Sequence, residues 1–278
     1  MIEQGKNNHL SSVKRSTFGL FLGDDVGEEV LLPNKYCTDD MKPEGEVEVF
    51  IYRDSEDRKV ATTLTPKIKL HEFALLKVKA VTKVGAFLDW GLEKDLMVPF
   101  REQRQNMEED RWYIVYLDLD AKTDRLYASN RLERFLNNDD LSVKQGDEVG
   151  LIVLQKTDLG YSVIVNHKHK GLLFSNEIFQ DLNIGAPLKG YVKNIRDDNK
   201  IDISLQAIGY KKFNDANSEL IVHRLIELDG FLPLSDKSSP EEIYAQLGIS
   251  KKAFKKSIGA LYKQKKITLE AGGIKLLD

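Results

Sequence analysis

The chain has 278 residues, of which 41% are hydrophobic and 31% charged, and its formal net charge is −3. This length excludes one small domain, and the near-neutral charge excludes a strong overall attraction to nucleic acid or to an acidic membrane. Cys37 is the only cysteine, which excludes an internal disulfide and fits a reducing compartment. Because the sequence shows neither a signal peptide nor a run of about 18 apolar residues, we expect a soluble cytoplasmic protein.

Three similar units follow one another up to about residue 209. Each unit has an opening strand, a second strand that begins at a glycine, an apolar run, and a hairpin with a charged turn. The glycines are Gly19, Gly85 and Gly160, with spacings of 66 and 75 residues. Five short alternating strands in 65 to 75 residues predict a small closed antiparallel barrel. Glycine in the second strand suits a strongly curved barrel corner.

The opening strands are predicted in HLSSVKR, FALLKVKAV and DEVGLIVLQK, and the closing hairpins in VEVFIYRDSEDRKVATT, YIVYLDLDAKTDRLYAS and LKGYVKNIRDDNKIDIS.

The composition changes after about residue 210, where helical patterns replace the strands. NSELIVHRLIELDG predicts a one-sided helix that ends at Gly230, with an apolar face containing Leu220, Leu225 and Leu228. SPEEIYAQLG predicts a second helix. Its signals are Ser239 as N-cap, Pro240 in the first position, Glu242 completing a capping box, and Gly248 as the stop. A third helix from Ser250 and a hairpin in KKITLEAGGIKLLD complete the order of a winged helix-turn-helix.

The barrel motif carries a resemblance to a known repeat. Glycine beside strand aromatics, then an apolar Gly-Leu-Leu type segment, then a basic residue that opens the last strand, resembles the ribosomal S-one-type RNA-binding repeat. The whole chain resembles the conserved virulence factor B family of bacterial RNA-binding regulators. This resemblance implies a mainly β multidomain protein: three tandem five-stranded OB-fold barrels at residues 1–66, 67–140 and 141–209, followed by an α+β winged helix domain at 210–278.

The same resemblance implies which aromatics face RNA. In that repeat family they flank the glycine, and in this chain the matching or nearby residues are Phe18, Phe21, Phe87, Tyr161, His167 and Phe174. An exposed ring offers any base a stacking surface worth about 1–3 kcal/mol, whereas most strand aromatics belong to a core. Alternation lets at most one of Phe18 and Phe21 face outward unless the strand bulges. Two roles are possible for Trp90, which could be a stacking surface for a base or a packing residue at the barrel rim.

Basic residues extend the predicted RNA surface. From the first unit to the fourth, the formal charges are −5, −1, 0 and +3, so the acidic first barrel is the weakest candidate for a polyanion. Arg58, Arg125 and Lys200 occupy equivalent hairpin turns, where a basic residue is usually only solvated. The RNA-contact prediction in these regions comprises Arg125, Lys168, Lys170, Lys193, Arg196 and Lys200.

The third helix has the sharpest charge pattern. On a helical wheel, one stripe contains Lys252, Lys255, Lys256, Lys263 and Lys266, of which the first four are the candidate contacts. The predicted opposite face contains Phe254, Ile258, Leu261 and Tyr262. No acidic residue lies between Ser250 and Lys266. We therefore predict phosphate contacts for the four lysines, with a merely solubilising surface as the alternative.

No catalytic motif or paired carboxylate cluster is evident, so we expect neither an enzyme nor a cofactor. His167 and His169 lack further ligands for a metal, and we expect them to be polar side chains at the surface. Single-stranded RNA is the expected partner, and no membrane partner is expected. Two alternatives are a DNA-binding transcription regulator acting through the winged helix, and a ribosome- or polymerase-associated adaptor that binds protein through the acidic first barrel.

Overall fold

The computed structural model describes residues 1–38, 41, 45–175, 178, 182–206, 216–270 and 272–277. The chain divides into two compact units, Met1–Ala207 and Ile208–Asp278. The division of the chain at residues 66, 140 and 210 stays a prediction.

The first unit contains three five-stranded sheets. The first barrel comprises β1 (Asn7–Arg15), β2 (Gly19–Gly23), β3 (Glu29–Pro33), β4 (Glu46–Arg53) and β5 (Lys59–Thr62). The second sheet comprises β6 (Phe73–Val81), β7 (Gly85–Asp89), β8 (Leu96–Pro99), β9 (Trp112–Asp120) and β10 (Arg125–Ser129). The third barrel comprises β11 (Glu148–Thr157), β12 (Gly160–Val165), β13 (His169–Phe174), β14 (Pro187–Ile195) and β15 (Ile201–Ser204). The three glycine-led strands therefore lie in separate sheets, as predicted.

Closure of the sheets differs from the prediction in two respects. The first and third barrels close in the order 1-2-3-5-4, and the closing strand pairs β3–β5 and β13–β15 are parallel, not antiparallel. The second sheet runs β10-β9-β6-β7-β8, so β8 and β10 are its edges and it forms a half-barrel. Beside β8, the side-chain amide of Gln103 donates to the Val98 carbonyl at 3.0 Å.

The recurring glycine is required by close backbone approach. A Cβ atom at Gly19, Gly85 or Gly160 would lie 2.0, 2.3 or 2.1 Å from a carbonyl oxygen of the adjacent strand. Their φ angles of 157°, 152° and 148° also lie where residues with side chains are rarely found. The sequence pattern indicated strand curvature as the reason for this glycine. The structure shows a different reason, which is the close approach of the adjacent strand.

Hydrophobic clusters join neighbouring sheets as well as filling each one. Phe50 and Tyr52 of the first barrel belong to the same buried cluster as Trp90 and Val98 of the second sheet. A second cluster links Phe73 and Ile114 of the second sheet to buried residues of the third barrel, Ile152 and Ile164. The sheets of the first unit therefore pack on one another through apolar surfaces.

The second unit has three helices and a small sheet. Its elements are α1 (Ala216–Glu227), β16 (Phe231–Leu232), α2 (Pro240–Leu247), α3 (Lys251–Lys263), β17 (Ile267–Glu270) and β18 (Gly273–Leu276). The capping box of Ser239 and Glu242 and the left-handed Gly248 are present as predicted. None of the helices in the described residues is long and apolar enough to cross a membrane.

The apolar face predicted for α1 is partly wrong. Leu225 is buried, but Leu220 and Leu228 are 39% and 37% exposed. Ile221 takes the inner position with Leu225, because residues four apart share one side of a helix.

Candidate nucleic-acid interface

The first barrel carries two aromatics at its surface beside the recurring glycine. Phe18 is 76% exposed, and Phe21 is half-buried on β2 with the Lys14 ammonium 4.9 Å from its ring centre. Phe18 precedes the strand, in a turn closed by hydrogen bonds from Ser16 to the Gly19 carbonyl. Alternation within a strand therefore does not apply to Phe18, and both rings reach the surface.

The aromatics of the second sheet have different surroundings. Phe87 is half-buried and lines a pocket of about 380 Å³. Trp90 is only 3% exposed, with its ring edge-on to Phe50 at 5.8 Å and to Tyr52 at 6.3 Å. Its indole N–H donates to the Lys94 carbonyl at 2.6 Å. Trp90 is therefore a packing residue between the first barrel and the second sheet.

The basic hairpin residues are all paired with acids. Arg58 pairs with Asp54 and Lys200 with Asp198, each inside its own turn. Arg125 reaches into the turn of the first barrel, where it binds the carboxylate of Asp57. The sequence pattern predicted Arg125 as an RNA contact. In the structure its guanidinium instead forms this ion pair between two sheets.

Tyr161 requires a correction. It is 6% exposed and belongs to the core of the third barrel. One residue after the glycine, it occupies the same place as the buried residues Leu20 and Ala86. Alternation along the strand therefore points this position inward in all three sheets, and Tyr161 does not form part of an exposed surface.

Contrary to the prediction, the two histidines of the third barrel are not simply polar side chains on the surface. The backbone N–H of Phe73 donates to Nδ1 of His167 at 2.9 Å, across the joint with the second sheet. Burial lowers the pKa of His167. His169 is fully buried, and its Nε2 lies 2.8 Å from the Ser142 hydroxyl. Among the described residues, no three His, Cys, Asp or Glu side chains come together as metal ligands would.

The remaining predicted residues of the third barrel reach its surface. Phe174 is half-buried beneath the guanidinium of Arg196, which lies 5.7 Å from the ring centre. Arg196 also donates to Asp202 at 2.8 Å. Lys168, Lys170 and Lys193 are exposed.

A cleft of about 730 Å³ lies between the second sheet and the third barrel. Its second-sheet wall includes Trp112 and Tyr113, and its third-barrel wall includes Lys170 and Arg196. Trp112 is 56% exposed. The cleft thus combines an open aromatic surface with basic side chains, which are the two elements of single-strand recognition.

The outer face of α3 has the predicted lysines. Lys252, Lys255, Lys256 and Lys263 are exposed, and none forms an ion pair or side-chain hydrogen bond with any described residue. The opposite face is buried at Phe254, Ile258 and Leu261.

Tyr262 is the exception to the predicted helical wheel. It is 53% exposed, not buried. Its position lies about 80° from Lys252 around the helix, beside Lys255, so it borders the lysine stripe.

Sequence reasoning missed Trp112 and Tyr262. Trp112 is the first residue of β9, where a side chain extends beyond the packed part of the strand. On a helical wheel with 100° per residue, Tyr262 falls about 20° from Lys255, so the sequence carried the signal and the prediction misjudged it. No comparable signal marks the cleft, because its walls come from two different sheets and no local spacing relates them.

Comparisons with known proteins match this architecture. Residues 4–64 match the S1 domain and residues 219–276 match the CvfB-like winged helix domain. Uncharacterized protein YitL of Bacillus subtilis is 30% identical, with 96% of this chain and 92% of that protein covered. Conserved virulence factor B of Staphylococcus aureus is 27% identical, with 90% of this chain and 86% of that protein covered.

A solved structure from Streptococcus pneumoniae, described as a multidomain protein with nucleic acid binding domains, is 24% identical. It covers 99% of this chain and 98% of its own, with a TM-score of 0.42.

The chain therefore combines two classes of nucleic-acid-binding domain, the S1-type barrel and the winged helix. Neither class is an enzyme family. The similarity to these relatives extends over most of this chain and most of their own length. The chain therefore belongs to the conserved virulence factor B family.

Proposed function

We propose that this protein is a non-catalytic, cytoplasmic RNA-binding regulator that acts after transcription or on translation. In this proposal, single-stranded RNA contacts the second sheet, the third barrel and α3. The observation that carries it is the lysine stripe of α3 (Lys252, Lys255, Lys256 and Lys263), which is exposed and unpaired within the described residues.

The lysines of the stripe differ from the three basic residues of the closing hairpins. Arg58, Arg125 and Lys200 each have a carboxylate partner, so binding a phosphate would require that pair to separate. The lysines of the stripe face no such competition from the described part of the chain. Their charges are free to neutralise phosphates and to release condensed counterions.

The composition of α3 favours RNA over sequence-specific duplex DNA. Reading bases in the major groove commonly uses Arg, Asn or Gln as well as Lys, and residues 251–263 contain Lys but none of the other three. Gln264 follows the helix, but its amide nitrogen is buried without a hydrogen-bond partner among the described residues. The exposed Tyr262 instead offers an unpaired base a stacking surface beside the lysines.

The names of the staphylococcal relatives, conserved virulence factor B, connect those proteins with virulence. The single Cys37 fits a cytoplasmic location, where thiols stay reduced.

A binding comparison at one salt concentration tests the proposal. Fluorescence anisotropy would compare end-labelled single-stranded RNA with duplex DNA of the same sequence and length. We expect tighter binding to the single-stranded RNA. Tighter binding to the duplex would favour a DNA-binding regulator, and binding to neither would favour the adaptor, so either result overturns the proposal.

A further inference from the structure

The cleft between the second sheet and the third barrel has the size and shape of a ligand site. Its volume of about 730 Å³ lies within the range of about 300–1,000 Å³ that is usual for small-molecule pockets. Apolar side chains line both walls, including Leu75 and Ile114 on one side and Leu154 and Leu172 on the other. A flat, partly apolar ligand would fit such a surface.

Trp112 is the prominent feature of the second-sheet wall. More than half of this large aromatic side chain is exposed, although it lines the cleft. Trp90 differs sharply, since it is 3% exposed and packed against Phe50 and Tyr52. One tryptophan of this chain therefore joins two sheets, and the other presents an open ring.

The two walls of the cleft are fixed relative to each other. Leu75, Ile114 and Leu154 belong to the apolar cluster that joins the second sheet to the third barrel. Gly185 lies so close that a Cβ atom on it would be 2.6 Å from the Leu75 side chain. The site therefore exists before any ligand binds, which lowers the entropic cost of binding.

The charges of the cleft favour an anionic ligand. Its lining contains four basic residues (Arg104, Lys170, Arg196 and Lys200) and two acidic residues (Glu133 and Asp202). Arg104 and Arg196 pair with these two acids, and Lys200 pairs with Asp198 outside the lining. Lys170 forms no ion pair with any described residue, and Asn138 holds its backbone through two hydrogen bonds of 2.8 and 2.9 Å.

We propose that this cleft binds an unstacked base of single-stranded RNA, with the base on the Trp112 ring and the adjoining phosphate at Lys170. The inference rests on the proposed RNA-binding function and adds a location for base recognition. An apolar peptide is the competing occupant, but the excess of basic residues and the open indole ring favour a nucleotide. Stacking tolerates every base, so little sequence preference is expected from this contact.

The intrinsic fluorescence of Trp112 provides the test. An unlabelled oligouridylate of about 12 nucleotides is titrated into the full chain while tryptophan emission is recorded. The wild type should show saturable quenching. Trp112→Phe should lose this quenching, because only the shielded Trp90 then emits, yet it should still bind the RNA by anisotropy.

Affinity measurements with end-labelled oligouridylate complete the test. Trp112→Ala should weaken binding about 5- to 150-fold, the range expected for one lost stacking contact. Phe100→Ala is the matched control, since Phe100 is 46% exposed and does not line the cleft, and it should leave affinity unchanged. Circular dichroism melting checks that the variants fold. If Trp112→Ala does not fold, the fluorescence test with Trp112→Phe still tests the inference.

Two outcomes would overturn the inference in distinguishable ways. In the first outcome, oligouridylate binds in the anisotropy assay but does not change Trp112 emission, and it binds Trp112→Ala with the same affinity as the wild type. This result would exclude the cleft as the binding site and leave the RNA-binding function intact. In the second outcome, the wild type binds no RNA, which would contradict both the base site in the cleft and the proposed RNA-binding function. Quenching by an apolar peptide, but not by oligouridylate, would assign the cleft to a protein partner.

Discussion

Asp57 lies in the hairpin turn of the first barrel and Arg125 is the first residue of β10 in the second sheet. The guanidinium of Arg125 donates to both carboxylate oxygens of Asp57 at 2.7 to 3.2 Å. The neighbouring residues repeat the contact in the opposite direction, with Arg53 donating to the carbonyl and the carboxylate of Asp124. Two arginines and two aspartates therefore link the first barrel to the second sheet. The Arg125 guanidinium also holds the pKa of Asp57 below its usual value.

This relationship predicts that Arg125 contributes little to RNA binding. Arg125→Gln should leave the slope of log affinity against log salt unchanged, because the guanidinium is already paired with Asp57. The measurement is a salt titration of single-stranded RNA binding. A slope flattened by about 0.7, the value for one lost phosphate contact, would show instead that Arg125 exchanges Asp57 for RNA.

Sequence patterns predict features that depend on residues close together in the chain, and they miss features that depend on contacts between different sheets. The capping box at Ser239 and the lysine stripe of α3 depend on neighbours in the same helix, so local spacing predicts them. Gly160 is found by its recurrence in the three units, although the reason for it lies in the adjacent strand. Trp90 and Arg125 acquire their roles from partners in another sheet. No local pattern encodes how two sheets dock, and the functions of these two residues could be assigned only from the structure.

Gly160 should be indispensable to the third barrel. In Gly160→Ala the new methyl group would lie 2.1 Å from the Leu173 carbonyl oxygen and 2.7 Å from the Ser175 nitrogen, both of them backbone atoms. We expect a loss of about 3 kcal/mol or more in the free energy of unfolding. Chemical denaturation followed by circular dichroism measures this loss.

Gly146→Ala is the matched control for that substitution. Gly146 also has a positive φ, 96°, but a Cβ atom there would have no neighbour within 4 Å. It should cost only about 1 kcal/mol, which isolates the backbone strain from the steric clash. Equal losses in the two variants would contradict the close-approach explanation.

His167 should make the stability of the first unit depend on pH. Its Nδ1 accepts a hydrogen bond from the Phe73 backbone, and burial lowers its pKa below the ordinary value of 6.5. The unfolded chain therefore binds a proton more readily than the folded chain does. This contribution to stability is complete above pH 6.5 and is lost as pH falls from there through the lower folded pKa.

His167→Asn isolates the effect, because asparagine tolerates the φ of 55° at this position and its side-chain oxygen can still accept a hydrogen bond. Urea denaturation between about pH 5 and pH 8 should show a weaker pH dependence than in the wild type. His169 is present in both proteins and cancels in the comparison. Parallel stability curves would assign the pH dependence to other groups.

Gly259 lies in the middle of the lysine stripe, where a Cβ atom would have no neighbour within 4 Å. Gly259→Ala should therefore stabilise the second unit by about 0.5–1 kcal/mol, the usual difference between these residues inside a helix. If the RNA backbone approaches α3 closely, the added methyl group should also weaken RNA binding. A thermal melt and an anisotropy titration measure the two effects, and a stabilised variant with unchanged affinity would place the RNA elsewhere on the stripe.

The lysine stripe itself should govern the salt dependence of RNA binding. Replacing Lys252, Lys255, Lys256 and Lys263 by Gln removes four exposed charges that have no ion-pair partner among the described residues. Each phosphate contact with a single strand contributes about 0.7 to the slope of log affinity against log salt, so the slope should flatten by up to about 3. Sequence preference should change little, because phosphate contacts position a protein without reading bases.

Stability is the internal control for this fourfold variant, since the substituted residues lie opposite the buried Phe254, Ile258 and Leu261. The melting temperature should therefore stay close to that of the wild type. Lys122→Gln provides a charge control, because Lys122 is exposed in the hairpin turn of the second sheet and lines neither of the two pockets. A folded fourfold variant with an unchanged salt slope would identify the stripe as a solubilising surface, and RNA binding would then have to come from the barrels.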